Sequence, residues 1–245
     1  MKFNILTLFP QMFPGPLEYS LIGKGLKKGL FEINTVYIRD YAFNNSKSVD
    51  DSPFGGGPGM IIKPDVLQNA IKSVKKSKTF YFSPTGKKID QKFIQKISKE
   101  KEITLICGRY EGVDQRFLDF NKIEEISVGD YILSGGEVAS FILIDACVRL
   151  IPKVLGNTKS LDSESFHNNL LEYSQYTKPS EWNKMSVPEV LLSGNHEKIS
   201  NWRLKNSLEK TKKVRPDLYK LYLQDKKRKI WIILYKITKK IIWRN

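Results

Sequence analysis

Residues 127–137 read SVGDYILSGGE, in which Tyr131, Ile132 and Leu133 run into Ser134, Gly135 and Gly136. Paired glycines directly before an apolar stretch of helical length, VASFILIDACVRLI, mark a place where backbone must come close to something that a Cβ would block. Two further loops share this character, PFGGGPGM at 53–60 and CGRYEGVD at 107–114. The chemistry open to such loops is to hold a ligand through main-chain N–H and C=O groups. None is a G-x-G-x-x-G opening a helix after a strand, and there is no G-x-x-x-x-G-K-[ST], so neither a dinucleotide fingerprint nor a P-loop is supported. Any one loop taken alone also reads as a tight turn that needs positive φ.

The reactive side chains nearby are few. His167 and His196 are too few and too far apart for a zinc or nucleophilic site, and Glu111 alone is a weak metal signal. Arg149, closing the apolar helix, reads by itself as a C-terminal cation favoured by the helix dipole. Cys107 and Cys147 each lie inside an apolar run and read as small buried hydrophobes, with nothing to suggest a disulfide.

The elements that must position these loops follow from periodicity. FNILTLF, EINTVYIRDY, KTFYFSP, EITLICG and EEISVGDYIL alternate with helix-like PDVLQNAIKSVKKS, QKFIQKISKE and EVASFILIDACVRLI. Strands alternating with helices predict an α/β domain with a largely parallel sheet. The best-defined strands end in SPTG, CGRYEG and LSGGE, and in a parallel sheet those ends share one edge, where open α/β folds bind ligands. The N-terminal MKFNILTLFPQMF carries one lysine and no small-residue cleavage site, so it is expected to be a first buried strand and not a signal peptide. No apolar run reaches the ~20 residues of a bilayer span. A soluble, cytoplasmic protein is expected.

The 245 residues carry a formal net charge of +15. Residues 198–245 hold 16 Lys and Arg against 3 Asp and Glu, leaving 25 against 23 for everything before them. A polyanionic partner is implied, nucleic acid first and an acidic membrane surface second. The texture predicts three parts: an α/β domain over 1–155, a polar interdomain linker over 156–170, and a small basic helical domain over 171–245. In the last, Pro216 marks a helix break. Tyr173, Tyr176 and Trp182 interleave with Lys178 and Lys184, which suits either stacking of unpaired bases or the core of a small domain. The tail KKRKIWIILYKITKKIIWRN (226–245) is amphipathic. It could dock on the small domain, present lysines to RNA, or lie on a membrane surface.

The chain also resembles a known family, the bacterial tRNA (guanine-N1)-methyltransferases that modify guanosine 37. The resemblance is carried by LFPQMF, RDY, VDDSPFGGGPGM, YFSPTGKKID, LICGRYEGVDQR, SVGDYILSGGE, RLIPKVLGN, ESFHNNLLEYSQYTKP, VPEVLLSGNHEKI and WRLKNSL, in order, to about residue 223. It implies a homodimer whose site is shared between subunits and a deep trefoil knot of the SPOUT type, a topology that general rules of chain connection would exclude.

The resemblance further implies S-adenosyl-L-methionine bound among Tyr81, Ser83 and Pro84, then Gly108, Arg109, Tyr110, Glu111 and Gly112. The third loop of that site is Ser127, Val128, Gly129, Asp130, Tyr131, Ile132, Leu133, Gly135 and Gly136. For tRNA it implies Asp50, Gly59, Ser165, His196, Arg203 and Lys205. Removing the N1 proton of guanine needs a general base, which the family takes from a linker motif ending Asp-Ser-Phe. Here that motif is Glu164, Ser165, Phe166, one methylene longer, with Asp162 as a rival. Arg149 matches the arginine that stabilises charge on guanine O6, and Glu111, helped by Glu172, the carboxylates that accompany Mg2+. Two other activities stay open: methylation of another RNA atom such as a ribose 2′-hydroxyl, and RNA binding without turnover.

Overall fold

The structure, a computed structural model, describes residues 1–43, 46–155 and 164–228. They fall into two compact units, Met1–Gly156 and Asn157–Asn245. Asp162 and most of the amphipathic tail lie outside the described residues.

The first unit runs β1 (Lys2–Thr7), α1 (Ser20–Lys27), β2 (Glu32–Tyr37), β3 (Asp50–Asp51), β4 (Ile61–Ile62), α2 (Pro64–Lys72), β5 (Lys78–Lys88) and α3 (Gln91–Ile97). It continues with β6 (Glu102–Ile106), α4 (Gln115–Asn121), β7 (Glu124–Ser127) and α5 (Gly136–Val148). Five strands form one sheet in the order β2-β1-β6-β5-β7, every pair parallel. This is the mixed α/β architecture expected from the alternation of elements.

Side chains alternate strictly between the two faces, because strand residues have a period of two. Phe3, Ile5, Phe80, Phe82, Ile103 and Leu105 point to one side, where they meet Leu143, Ile144 and Cys147 of α5 and Ile94 and Ile97 of α3. Leu6, Tyr81 and Ile106 point to the other and meet Val66, Leu67 and Ala70 of α2 and Phe117 and Leu118 of α4. Polar residues in this interior are matched: Asn4 donates to Glu102 at 2.7 Å and accepts from Asn34 at 2.8 Å.

Two local departures from the expected strands shape the site. β5 does not end at SPTG: Phe82 pairs with Ile126, and after a detour Lys87 pairs with the same Ile126. The detour returns at Gly86, where a Cβ would stand 2.5 Å from the Ile126 nitrogen, so only glycine lets the strand rejoin β7. β7, by contrast, stops at Ser127 and does not continue through Tyr131–Leu133. The Ser127 hydroxyl bonds both the N–H and the C=O of Gly129 and turns the chain out of the sheet. Tyr131 and Ile132 are consequently 51% and 80% exposed, not part of a buried strand.

In the second unit, β8 (Glu181–Trp182) and β9 (Met185–Ser186) make a small hairpin, followed by α6 (Glu189–Leu192), α7 (His196–Val214) and a helical segment over 216–228. The Asn195 side chain caps α7 by accepting from the Lys198 N–H at 3.0 Å, and the helix ends before Pro216, whose ring cannot continue the ladder. The buried face of α7 is polar. Ser207 donates to the Leu171 carbonyl, Thr211 accepts from the Leu171 N–H at 2.8 Å, and Asn206 accepts from the Ser174 N–H at 2.8 Å. Side chains of α7 thus serve the extended segment 171–174 as a second strand would. Asn169 extends the attachment through its 2.7 Å bond to Asp225. No helix among the described residues is long and apolar enough to cross a membrane.

Leu105 sits at the centre of the sheet with no exposed surface. Leu105→Ala is expected to lower unfolding free energy by about 2–5 kcal/mol, read as a lower denaturation midpoint in urea. A change under ~1 kcal/mol would mean that the central core is looser than described.

Candidate active site

At the C-terminal edge of the sheet three segments enclose a cleft of about 270 Å³: 81–84 from β5, 108–112 after β6, and 126–136 after β7. All the residues expected to hold the cofactor line it except Asp130, whose carboxylate instead pairs with Lys88 at 2.5 Å. Phe82, Ile126, Ser134 and Ala139 join them, unforeseen because in sequence they are ordinary strand, loop and helix positions. Glycines Gly108, Gly112, Gly129, Gly135 and Gly136 alternate in the lining with apolar side chains such as Ile126, Leu133 and Ala139, which suits a small-molecule site.

The glycines explain why main chain can dominate. A Cβ on Gly136 would stand 2.7 Å from the Cys107 Cα and 3.1 Å from the Gly108 nitrogen, and the Gly136 N–H donates to the Gly108 carbonyl at 3.0 Å. The chain entering α5 therefore lies directly on the chain leaving β6. Gly108 in turn touches the Tyr81 ring, where a Cβ would come within 2.8 Å. Gly135 has extended backbone that any residue could adopt, and its constraint is the Arg109 side chain, 2.4 Å from where a Cβ would be. Tyr81 is squeezed among these segments, and its phenol is pushed up to about 12, first by burial and then by the Glu125 charge.

One residue that no sequence reading singled out lies beneath the cleft. Glu137, in the first turn of α5, has no exposed surface. Its carboxylate accepts from the Thr7 hydroxyl at 2.7 Å and faces Arg109 Nε at 2.9 Å. Arg109 also donates to the Ser134 carbonyl at 3.2 Å and lies over the Phe9 ring with its guanidinium carbon 4.4 Å from the ring centroid.

The other expected residues are dispersed. Arg149 caps the far end of α5, thirteen residues beyond Gly136 and so about 20 Å along the axis at ~1.5 Å per residue. It does not line the cleft of its own chain. Gly59 adjoins the cleft, since a Cβ there would meet Glu111 at 2.4 Å, and the Glu111 N–H donates to the Met60 carbonyl at 3.0 Å. Asp50 lies in β3, whose pairing with β4 leads into that contact.

Glu164 and Ser165 belong to the second unit, where the Ser165 hydroxyl accepts from the Glu172 N–H at 3.0 Å. Glu172 also accepts from Gln175. Among the described residues no three His, Cys, Asp or Glu gather into a metal-ligating group, and Glu111 and Glu172 fall in different units. His196 begins α7, Lys205 pairs with Glu209 at 4.0 Å, and Arg203 stands 4.8 Å over the Tyr173 ring. A groove of about 910 Å³ in this unit is lined by Tyr173, Tyr176, Lys178, Leu191 and Arg203 among others. Tyr176 and Trp182 are 49% and 62% exposed, so they are not the core of the small unit.

Against known proteins, residues 1–221 match the family described as tRNA (Guanine-1)-methyltransferase TrmD. The chain belongs to that family. Proteins named tRNA (guanine-N(1)-)-methyltransferase resemble it over nearly their full length. The one from Ehrlichia canis (strain Jake) is 52% identical over 223 residues, covering 89% of this chain and 95% of the relative. That of Pelagibacter ubique (strain HTCC1062) is 53% identical over 221 residues, covering 89% and 97%. That of Rhodospirillum rubrum is 51% identical over 221 residues, covering 89% and 92%. The family match takes in both units and stops short of the tail.

The two buried thiols also make a pH prediction. Burial raises the Cys107 thiol well above its usual 9.0, with the Glu137 charge adding to the effect, and burial raises Cys147 to about 12. The folded chain keeps these protons while the unfolded chain releases them. Their contribution is therefore fully present below pH 9 and is lost as pH climbs beyond it. Each thiol steepens the loss by up to ~1.4 kcal/mol per pH unit. Denaturation midpoints measured between about pH 8 and pH 10.5 should fall less steeply for Cys147→Ala than for the unaltered protein. Identical slopes would show that the thiol is not held neutral.

Proposed function

We propose that this chain transfers a methyl group from S-adenosyl-L-methionine to N1 of guanosine 37 in tRNAs whose preceding nucleotide is guanosine. The observation that carries the reading is the glycine-rich cleft at the C-terminal sheet edge, within a chain that belongs to this family from residue 1 to 221. The residues present fit the cofactor. Gly108 and Gly136 let the segments around the cradle lie against one another, while Leu133, Ile126 and Ala139 supply apolar walls. When bound, S-adenosyl-L-methionine supplies an electrophilic methyl group on a sulfonium.

The remaining work falls to the protein: to take the N1 proton, whose release is unfavourable at neutral pH, and to steady the charge that spreads to O6. Glu164 is the proposed base and Arg149 the proposed O6 partner. No nucleophile is required, which agrees with both cysteines being buried and protonated. On this reading Glu111, helped by Glu172, would be the carboxylates beside Mg2+, and no step is assigned to that ion.

A homodimer with a shared site accounts for Arg149 lying away from the cleft of its own chain, the base of one subunit serving the cleft of the other. It is supported by α5, which carries Val138, Ile142, Asp145 and Arg149 at helical spacing on one outward stripe, with Val138 and Ile142 45% and 44% exposed. An otherwise apolar helix that leaves such a stripe in water is suited to burial against a second copy. A trefoil knot of the three loops agrees with the backbone contact between Gly136 and Cys107, and the 171–228 region, with its basic helices, would hold the tRNA.

The deciding experiment is a mass-spectrometric nucleoside digest of tRNA incubated with protein and cofactor, in which N1-methylguanosine is expected. A 2′-O-methylated nucleoside would replace the reading with ribose methylation, and no new nucleoside would overturn it. Glu164→Gln is expected to reduce turnover at least about a hundredfold while cofactor affinity stays near the original, since a base acts in the transition state. Full activity would remove the role from Glu164. Ile142→Glu should yield monomers by light scattering and abolish methylation, and an active monomer would refute the shared site.

A further inference from the structure

We propose that Glu137 is a positioning residue that sets the shape of the cofactor cleft through Arg109. This rests on the reading of the cleft given above. Two loops that enclose the cleft and the end of β1 meet on this one carboxylate. Thr7 reaches it from the end of β1, Arg109 from the loop after β6, and Glu137 itself stands one residue after the Gly135–Gly136 turn. The Thr7 hydroxyl that donates to Glu137 also accepts from the Phe9 N–H at 2.9 Å, which holds Phe9 under the guanidinium.

Arg109 is thereby fixed on every side: Phe9 on its face, Glu137 at Nε, the Ser134 carbonyl at one terminal nitrogen and the Met12 sulfur at 3.6 Å from the other. The space a Cβ of Gly135 would need is filled by this side chain. Arg109 is therefore the spacer between the 108–112 and 134–136 loops, and its position fixes how far apart they stand.

The contact between Glu137 and Arg109 is ionic more than it is a directed hydrogen bond. Arg109 Nε and Glu137 Oε2 are 2.9 Å apart, yet neither has a partner in hydrogen-bonding geometry. A buried carboxylate without a second directed donor costs free energy that a purely structural position would be expected to avoid. It is understandable where the charge is needed to pull a flexible guanidinium to one place. The Thr7 bond aims the carboxylate, and the carboxylate aims the arginine.

The test is calorimetric titration of the full-length protein with S-adenosyl-L-methionine, alongside melting curves. Glu137→Gln keeps the size and the Thr7 bond but removes the charge, and is expected to weaken binding at least about tenfold. Arg109→Ala should weaken it comparably, and the double variant should be no worse than Arg109→Ala alone, because Glu137 acts through Arg109. Thr7→Val should give a smaller loss in the same direction, with Thr7→Ser restoring affinity. This pair keeps the proposal testable if loss of the buried charge prevents folding.

A purely structural role would lower the melting temperature and leave the dissociation constants of the folded variants unchanged, which would overturn the proposal. So would additive losses in the double variant. Failure of the unaltered protein to bind the cofactor would instead overturn the assignment of the cleft, a separate outcome.

Discussion

The first unit is organised around a charge with no water. Removing a carboxylate from solvent costs several kcal/mol unless its charge is answered nearby, and Glu137 is answered from three directions: a hydroxyl from β1, a guanidinium from the loop after β6, and the dipole at the N-terminus of its own helix. None of these groups can withdraw without exposing the others to an unpaired ion. The ends of β1 and β6 and the start of α5 are consequently held together, although nothing adjacent in sequence joins them. The cleft above inherits its definition from this arrangement, as does Cys107, whose thiol feels both the burial and the neighbouring carboxylate.

A steric constraint works beside the electrostatic one. Gly136 rests on the backbone of Cys107 and Gly108, and Gly86 rests on the backbone of Glu125 and Ile126. At both points one segment crosses another at a distance that forbids any side chain. Both flank the same edge of the sheet. Bringing main chain this close leaves N–H and C=O groups directed at whatever occupies the space between, which side chains projecting from the loops would otherwise fill. The glycines and the buried ion pair are thus complementary: the first permit close approach and the second prevents collapse.

Much of this was legible from residue order. Short apolar runs alternating with helix-like segments marked β1, β2, β5 and β6, and the paired glycines of LSGGE marked a close backbone approach whose partner is the chain just after β6. The extent of β7 was misread because Tyr131, Ile132 and Leu133 are apolar enough for a strand, while the Ser127–Gly129 turn that ends it is a side-chain event with no apolar signature. Glu137 was missed for a related reason. A glutamate in a first helical turn is what the helix dipole favours on a surface, and only the folded chain reveals Thr7 and Arg109 around it. The resemblance to a family supplied roles for Glu164 and Arg149 that neither spacing nor composition could have supplied.

The second unit solves a different problem. Among its described residues, Ser207 and Thr211 form the buried face of α7, and both hydroxyls bond the main chain of Leu171. A core made of side-chain to backbone bonds needs few large hydrophobes, so Tyr176 and Trp182 remain largely exposed while Tyr173 sits under Arg203. Exposed aromatic faces beside guanidinium and ammonium groups are suited to unstacked bases and phosphates. The charge distribution agrees, with the excess of Lys and Arg confined to residues 198–245 and the earlier residues nearly neutral.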